Sequence, residues 1–384
     1  MTAAHRGTLL LLAVAPPTLG LVPANAAAQE QPPYIEFDMT GFTGRNLFLL
    51  TDDRKMNSGG EVSAQAGATL GVDAGTTLDL EGRIAYRRYS RRYGDFVTGY
   101  GKLALDHRGS ERLSARTEAS FERLLPLEGT NGTIDAAIDP VSLQDRYELK
   151  QSLRWRPDQY LTISGEGAWS RLSPRGSQLL RRTDAANFDL GAERRLSPFS
   201  WIGLGGSATF SKASDGSRSD AALFVLKAGT RVAPHFSVQA EAGASRTSRS
   251  GPGAPTDRTP LQLATSVSLC YDPRRLRVCL AGQIRPAVTG FGGIQREKVL
   301  TATFDFQTSE RGTLSALGEY RSVPSPTFGS DAKIVSLSTT YEHRLDDRFR
   351  LHVGADYDRR TGLSSQTQSS WTIRAGVTFR IPSR

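Results

Sequence analysis

The chain has 384 residues, a mean hydropathy of -0.36, and 48 lysines and arginines against 39 acidic residues, a formal charge of +9. That polarity excludes a bundle of membrane helices, each of which needs about 20 mainly apolar residues. Two cysteines exclude a disulfide-built scaffold and any cysteine-rich metal site.

The N-terminus is the one segment that approaches a long apolar run. Arg6 gives a short positive start, Leu9 to Leu12 with Ala13, Val14 and Ala15 give the apolar stretch, and Pro16 and Pro17 end it. Ala24-Asn25-Ala26 or Ala26-Ala27-Ala28 then offers a small-residue cleavage site. Residues 1–28 are therefore expected to be a removed signal peptide, and 29–384 a single exported domain in which one disulfide is permissible.

A first strand is expected near Ile35 to Asn46, followed by a loop through Asp52, Asp53 and Gly59-Gly60. From Leu78 the pattern is plain. Leu78, Leu80, Ile84 and Tyr86 alternate with Asp79, Glu81, Arg83 and Arg87, a period of two that makes a strand with one dry face. Leu113, Ala115, Ala119 and Phe121 repeat it against Arg112, Arg116, Glu118 and Glu122, and Tyr147, Leu149, Leu153 and Trp155 against Arg146, Glu148, Lys150 and Arg154. Toward the end come Val335, Leu337 and Tyr341, then Phe349, Leu351, Val353 and Tyr357, then Trp371, Ile373, Val377, Phe379 and Ile381. Each run is about 10 to 13 residues, the length of a tilted strand that crosses a bilayer.

Short links are expected at Asp73 to Thr76, His107 to Ser110, Arg156 to Gln159, Leu196 to Pro198, Ala233 to His235, Asp272 to Arg274, Ser309 to Gly312 and Asp346-Asp347. Between them fall longer polar links at Arg88 to Asp95, Leu124 to Val141, Leu172 to Arg182, Lys212 to Arg218, Ser248 to Pro260, Pro286 to Gly293, Val323 to Ala332 and Arg360 to Gln368. Tight periplasmic turns alternating with longer outer loops are the rhythm of an outer-membrane barrel. The expected fold is an all-β, antiparallel up-and-down transmembrane barrel of about 18 strands, with 16 as the alternative and both ends periplasmic.

Trp155, Tyr160, Phe199, Phe236, Tyr271 and Phe349 sit beside the short turns, and Tyr86, Trp169, Tyr357 and Trp371 toward the outer ends, as aromatic belts do. Trp201 departs from this: its parity is inward, which needs a bulge or a lumen-facing indole.

The final segment Arg374-Ala375-Gly376-Val377-Thr378-Phe379-Arg380-Ile381 resembles the C-terminal insertion signal of outer-membrane barrels, although Pro382, Ser383 and Arg384 follow where a terminal aromatic is usual. The resemblance assigns Gly376, Phe379 and Ile381 to that signal and implies delivery to the barrel-assembly machinery. In length, rhythm and composition the whole chain resembles barrels encoded with exopolysaccharide synthesis genes in Gram-negative bacteria. That resemblance implies an export conduit, with an anionic polysaccharide and a periplasmic polysaccharide-export protein as partners.

Parity places Arg83, Arg87, Arg116, Arg146, Lys150, Arg154, Arg277, Arg285, Arg350 and Arg374 in the lumen, with Arg380. Carboxylates such as Glu81, Glu118, Glu166, Asp305 and Asp356 share that face, so the charges either pair across strands or form a track for a polyanion. Arg88, Arg91 and Arg92, around Tyr89 and Tyr93, are outer-loop candidates for binding anionic sugar or lipopolysaccharide phosphate. Cys270 and Cys279 flank one hairpin turn and face inward, opposite or diagonal, so a disulfide between them is geometrically allowed. His352 shares a face with Asp356 and Asp358 but has no fixed nucleophile. No phosphate loop, zinc spacing or dinucleotide fingerprint occurs, so no catalytic site, metal, cofactor or nucleic-acid partner is expected.

The leading expectation is an outer-membrane channel or export conduit for a hydrophilic substrate, in particular an exopolysaccharide. The alternatives are a structural or adhesive barrel with a plugged lumen and, last, an outer-membrane hydrolase. The link Leu124 to Val141 is the candidate plug, because it carries Leu125, Leu127, Ile134 and Ile138.

Overall fold

The computed structural model describes residues 32–50, 53, 55–91, 93–125, 134–251, 254–258, 260–290, 293–324, 331–361 and 367–382. The chain begins with β1 (Tyr34–Arg45), β2 (Met56–Asp73), β3 (Thr76–Tyr89), β4 (Asp95–Arg108), β5 (Leu113–Leu124) and β6 (Gln144–Trp155). Next come β7 (Leu161–Pro174), β8 (Thr183–Arg195), β9 (Ser200–Ala213), β10 (Arg218–Ala233), β11 (Phe236–Gly251) and β12 (Ala254–Arg258). It ends with β13 (Gln262–Tyr271), β14 (Leu276–Thr289), β15 (Gly293–Gln307), β16 (Gly312–Pro324), β17 (Asp331–Arg344), β18 (Phe349–Thr361) and β19 (Gln368–Pro382).

Every neighbouring pair is antiparallel, and β1 pairs with β19, so the sheet closes on itself and leaves no edge. β12 and β13 both pair with β11 and form one interrupted crossing, which makes the ring an 18-strand barrel. The even number is what lets the first and last strands meet antiparallel. At that seam Ile35 lies opposite Ile381 and Phe37 opposite Phe379, so the alternation of both strands continues around the closure.

The short turns lie at the same end of the barrel as Tyr34, where β1 starts, and Pro382, where β19 stops, the periplasmic end. Several are built by one side chain. Asp158 Oδ1 accepts from Tyr160 N at 2.6 Å and Leu161 N at 2.8 Å, and Asp346 Oδ1 accepts from Arg348 N at 2.7 Å and Phe349 N at 2.8 Å. These backbone donors hold both carboxyls below their usual range.

Three expected outer loops are mostly strand. Gly59 and Gly60 lie within β2, where Gly59 faces Phe42 of β1; a Cβ there would come within 2.5 Å of the Phe42 ring, so the glycine serves close approach and not a turn. Between Ser248 and Pro260, β11 continues to Gly251 and β12 returns beside it, extending the hairpin above the ring. Between Pro286 and Gly293, β14 runs to Thr289. Proline is tolerated there because β14 last pairs with β13 at Ile284, leaving no ladder on that side to miss a donor.

Candidate functional site

The two faces of the wall differ in chemistry. Outward positions carry exposed apolar side chains such as Ile84, Leu149, Leu190, Leu226, Leu300 and Val353, with Trp155, Tyr160 and Phe199 exposed near the turns and Tyr86, Trp169, Tyr357 and Trp371 near the outer ends. An apolar outer band between two aromatic belts, around a wall whose strands pair in one closed ring, is suited to hydrocarbon and not to water. This is a transmembrane β-barrel of the outer-membrane kind.

Inward positions are polar, and most of the expected lumen cations have a carboxylate partner. Glu61 accepts from both Arg83 at 2.6 Å and Arg87 at 2.5 Å. Arg116 pairs with Asp106 and Glu118, Lys150 with Glu166 at 2.7 Å, and Arg285 with Glu241 at 3.0 Å. At the seam, Arg350 reaches Glu36 at 2.8 Å and Arg380 the same carboxylate at 3.5 Å, while Arg374 pairs with Asp356 at 3.2 Å. Arg146 stands 4.0 Å from Glu122. Arg277 is opposite Asp305 in register, without a close ion pair among the described residues. Arg154 has no ion pair among them either; its strand neighbours are Ser114 and Ser164.

Asp106, Arg116, Arg154, Glu166, Asp189, Lys227, Glu241 and Arg285 line a polar chamber of about 490 Å³ against the β4–β14 wall. Gly191 and Gly205 are part of its lining, and the Lys227 side chain lies over Gly205, where a Cβ would meet it at 2.8 Å.

Toward the outer mouth the inner face changes character. In the described part of the link between β5 and β6, the 3-10 turn Ile134–Ala137 lies against the far wall. Ile134, Ala136, Ala137 and Ile138 pack there with Leu180 of the β7–β8 link and with Val323, Ala332 and Ile334 of β16 and β17. Asp135 Oδ1 accepts from Gly290 N at 2.9 Å, and Arg360 donates to Ala137 O at 3.5 Å. Complete burial pushes the Asp135 carboxyl up to about 6. On the opposite side Phe48, Tyr89 and Leu125 are buried, with Phe42, Tyr93 and Phe96 against them, and ring centroids are 4.4 Å apart for Phe48–Tyr93 and 5.2 Å for Phe42–Tyr89. Leu125 and Ile138 thus serve in the inward fold as expected from sequence, while Leu127 lies outside the described residues.

The sequence reading missed the receiving side of these contacts. Phe42, Tyr89, Phe96, Val323 and Ile334 all stand at inward parity near outer strand ends, on strands whose other inward residues are mostly polar or small. An apolar residue at lumen parity is the signal that a loop folds onto it.

Other expected residues are spread around the molecule. Arg88 is exposed on the outer face, 3.8 Å from Asp95; the Arg91 carbonyl accepts from Asn57 Nδ2 at 2.7 Å; Arg92 lies outside the described residues. Cys270 and Cys279 are directly opposite and joined by a disulfide. Trp201 is a lumen-facing indole with no bulge at its position: it lies over Gly229, where any Cβ would meet the ring at 2.4 Å. His352 turns to Thr40 at 2.9 Å and Asp38 at 3.6 Å and not to Asp356, which is held by Arg374. In β19, Phe379 and Ile381 face outward, Phe379 packing on Phe349 at 4.9 Å, whereas Gly376 makes room for His352 and Thr40.

No family model matches the sequence, and no curated protein matches it. Among solved structures the barrel is similar to Pseudomonas aeruginosa OpdQ, with a TM-score of 0.49 and 12% identity over 93% of this chain and 100% of that one. It is likewise similar to Pseudomonas aeruginosa OccK9 (OpdG), at 0.49 and 14% over 92% and 99%, and to Acinetobacter baumannii OccAB4, at 0.44 and 12% over 92% and 99%. These are likenesses of architecture.

Proposed function

We propose that the barrel is a passive outer-membrane channel for small hydrophilic solutes, with a preference for those bearing a negative charge. The observation that carries this reading is the polar chamber below an inward-folded loop: a wall of 18 strands leaves room for water, and the loop limits what reaches it. Most charges there are neutralised by neighbours, so they set a wet, high-dielectric surface and not a strong field. Arg154 has no ion pair among the described residues, and a passing carboxylate or phosphate would supply the missing counter-charge.

Export of an exopolysaccharide is the second reading, resting on the resemblance to barrels of polysaccharide loci. A loop anchored across the mouth favours the small solute over a polymer. Delivery through the barrel-assembly machinery remains part of the proposal, with Gly376, Phe379 and Ile381 as the signal.

Single-channel conductance of the refolded mature protein in a planar bilayer tests it. Steady openings with an anion-to-cation permeability ratio above one are expected, and Arg154→Glu should bring that ratio below one. A folded but silent barrel would overturn the channel, and acidic polysaccharide blocking at low concentration would turn the choice toward the polymer.

A further inference from the structure

We propose that the outer face of β15–β18, at the extracellular end, binds the phosphates of an outer-leaflet phosphoglycolipid of the lipid A kind. The proposal does not depend on whether the bore conducts. Alternation fixes which side chains point out. On the outward positions of β14–β19 the charged residues are Arg296, Lys298, Lys333 and Arg359 against a single carboxylate, Asp331, all near the outer strand ends. Register brings them together. Lys298 lies opposite Ser322, and Ser322 opposite Lys333, so the two lysines share one row across β15, β16 and β17, with about 10 Å between the outer two backbones. Arg359 is opposite Val335, two residues along β17 from Lys333, and Arg296 is two residues above Lys298.

Some rim cations on other strands are held in ion pairs, and among the described residues these four are not. Arg123 bonds Asp145 at 2.7 Å and Arg171 bonds Asp184 at 2.6 Å, each pair facing outward. Lys298, Lys333 and Arg359 are exposed and have no ion pair among the described residues, and Arg296 makes one 3.4 Å bond to the Leu263 carbonyl while its Nε is buried without a partner. Like charges held in one row repel unless an anion lies between them. An anion source that fits must also cover what lies directly below: Leu300, Tyr320 and Val335 in the next row, then Leu337, Tyr357 and Trp371. Phosphates over the cations with acyl chains along this apolar strip meet both demands, as no free phosphate or soluble polyanion does. The site lies on the barrel wall, away from the end of β3 and the link after it, which carry Arg88 and Arg91.

The test uses the whole mature protein in detergent, titrated with bis-phosphorylated lipid A, with its dephosphorylated form and with inorganic phosphate, and read by native mass spectrometry. Wild type is expected to bind the phosphorylated lipid at least tenfold more tightly than the dephosphorylated one, with no competition from millimolar inorganic phosphate. The Lys298→Gln/Lys333→Gln/Arg359→Gln variant should lose that tenfold preference, and Arg123→Gln/Arg171→Gln, which touches the paired rim cations, should keep it. Heat-modifiable gel mobility confirms that each variant is folded; if the triple variant is not, Lys298→Gln/Lys333→Gln replaces it, with a loss of at least threefold expected. Equal binding of the two lipids by wild type, an unchanged preference in a folded triple or double variant, or full displacement by inorganic phosphate would overturn the proposal.

Discussion

The outer and inner ends of the bore are made from the same two-residue alternation and do opposite things with it. Below, inward positions carry Arg116, Lys150, Glu166, Glu241 and Arg285, which pair across strands and stay wet around open space. Above, inward positions carry Phe42, Tyr89, Val323 and Ile334, which are covered by Phe48, Leu125, Ile134 and Ile138 from the links. A barrel wall thus specifies where its loops go by which lumen positions it makes apolar: desolvating each such pair of side chains contributes a few kcal/mol toward offsetting the chain entropy of a link held inward.

The sharpest way to break this contrast is to make the upper end like the lower one. Ile134→Asp/Ile138→Asp places two carboxylates against Val323, Ala332 and Ile334, and the docked turn should release. Single-channel conductance is expected to rise severalfold while the folded fraction on gels stays unchanged; an unaltered conductance would mean that this turn does not limit the bore.

Acidity should move the same contact more gently. The Asp135 carboxyl is pushed up to about 6 from an ordinary value of 3.8, so the docked turn holds a proton more tightly than a released one. Docking is then fully supported below about pH 4 and loses on the order of 2–3 kcal/mol of support as pH rises through 6. Conductance measured at pH 5 should be lower and quieter than at pH 7.5, and Asp135→Asn should show the low-pH behaviour at both. A wild-type channel insensitive over that range would remove Asp135 from the account.

The smallest expected effect is at the far end, where turns are fixed by single carboxylates. Asp158 and Asp346, held below the usual range by backbone donors, stabilise their turns above pH 4 and lose that contribution only as pH falls through their lowered values. Asp346→Ala should therefore lower the thermal midpoint of gel mobility slightly at pH 7, with the difference vanishing near pH 2, and leave conductance untouched.

Alternation, run length and turn chemistry in the sequence by themselves determined the closed antiparallel barrel, its nearly exact strand boundaries at the periplasmic end, and which face of each strand meets lipid. These are local properties: a strand has only two faces, and Asp346 builds its turn from atoms two and three residues away. What alternation could not supply is anything that crosses the ring. Pairing of Arg350 with Glu36, docking of Ile134 on Val323, and the row of Lys298 and Lys333 all depend on register between strands distant in sequence or on the path of a link through the lumen. Glycine and proline misled the reading at Gly59-Gly60 and Pro286 for the same reason. Whether such a residue makes a turn or clears space for a neighbour is decided by what stands opposite, and only the closed sheet decides that.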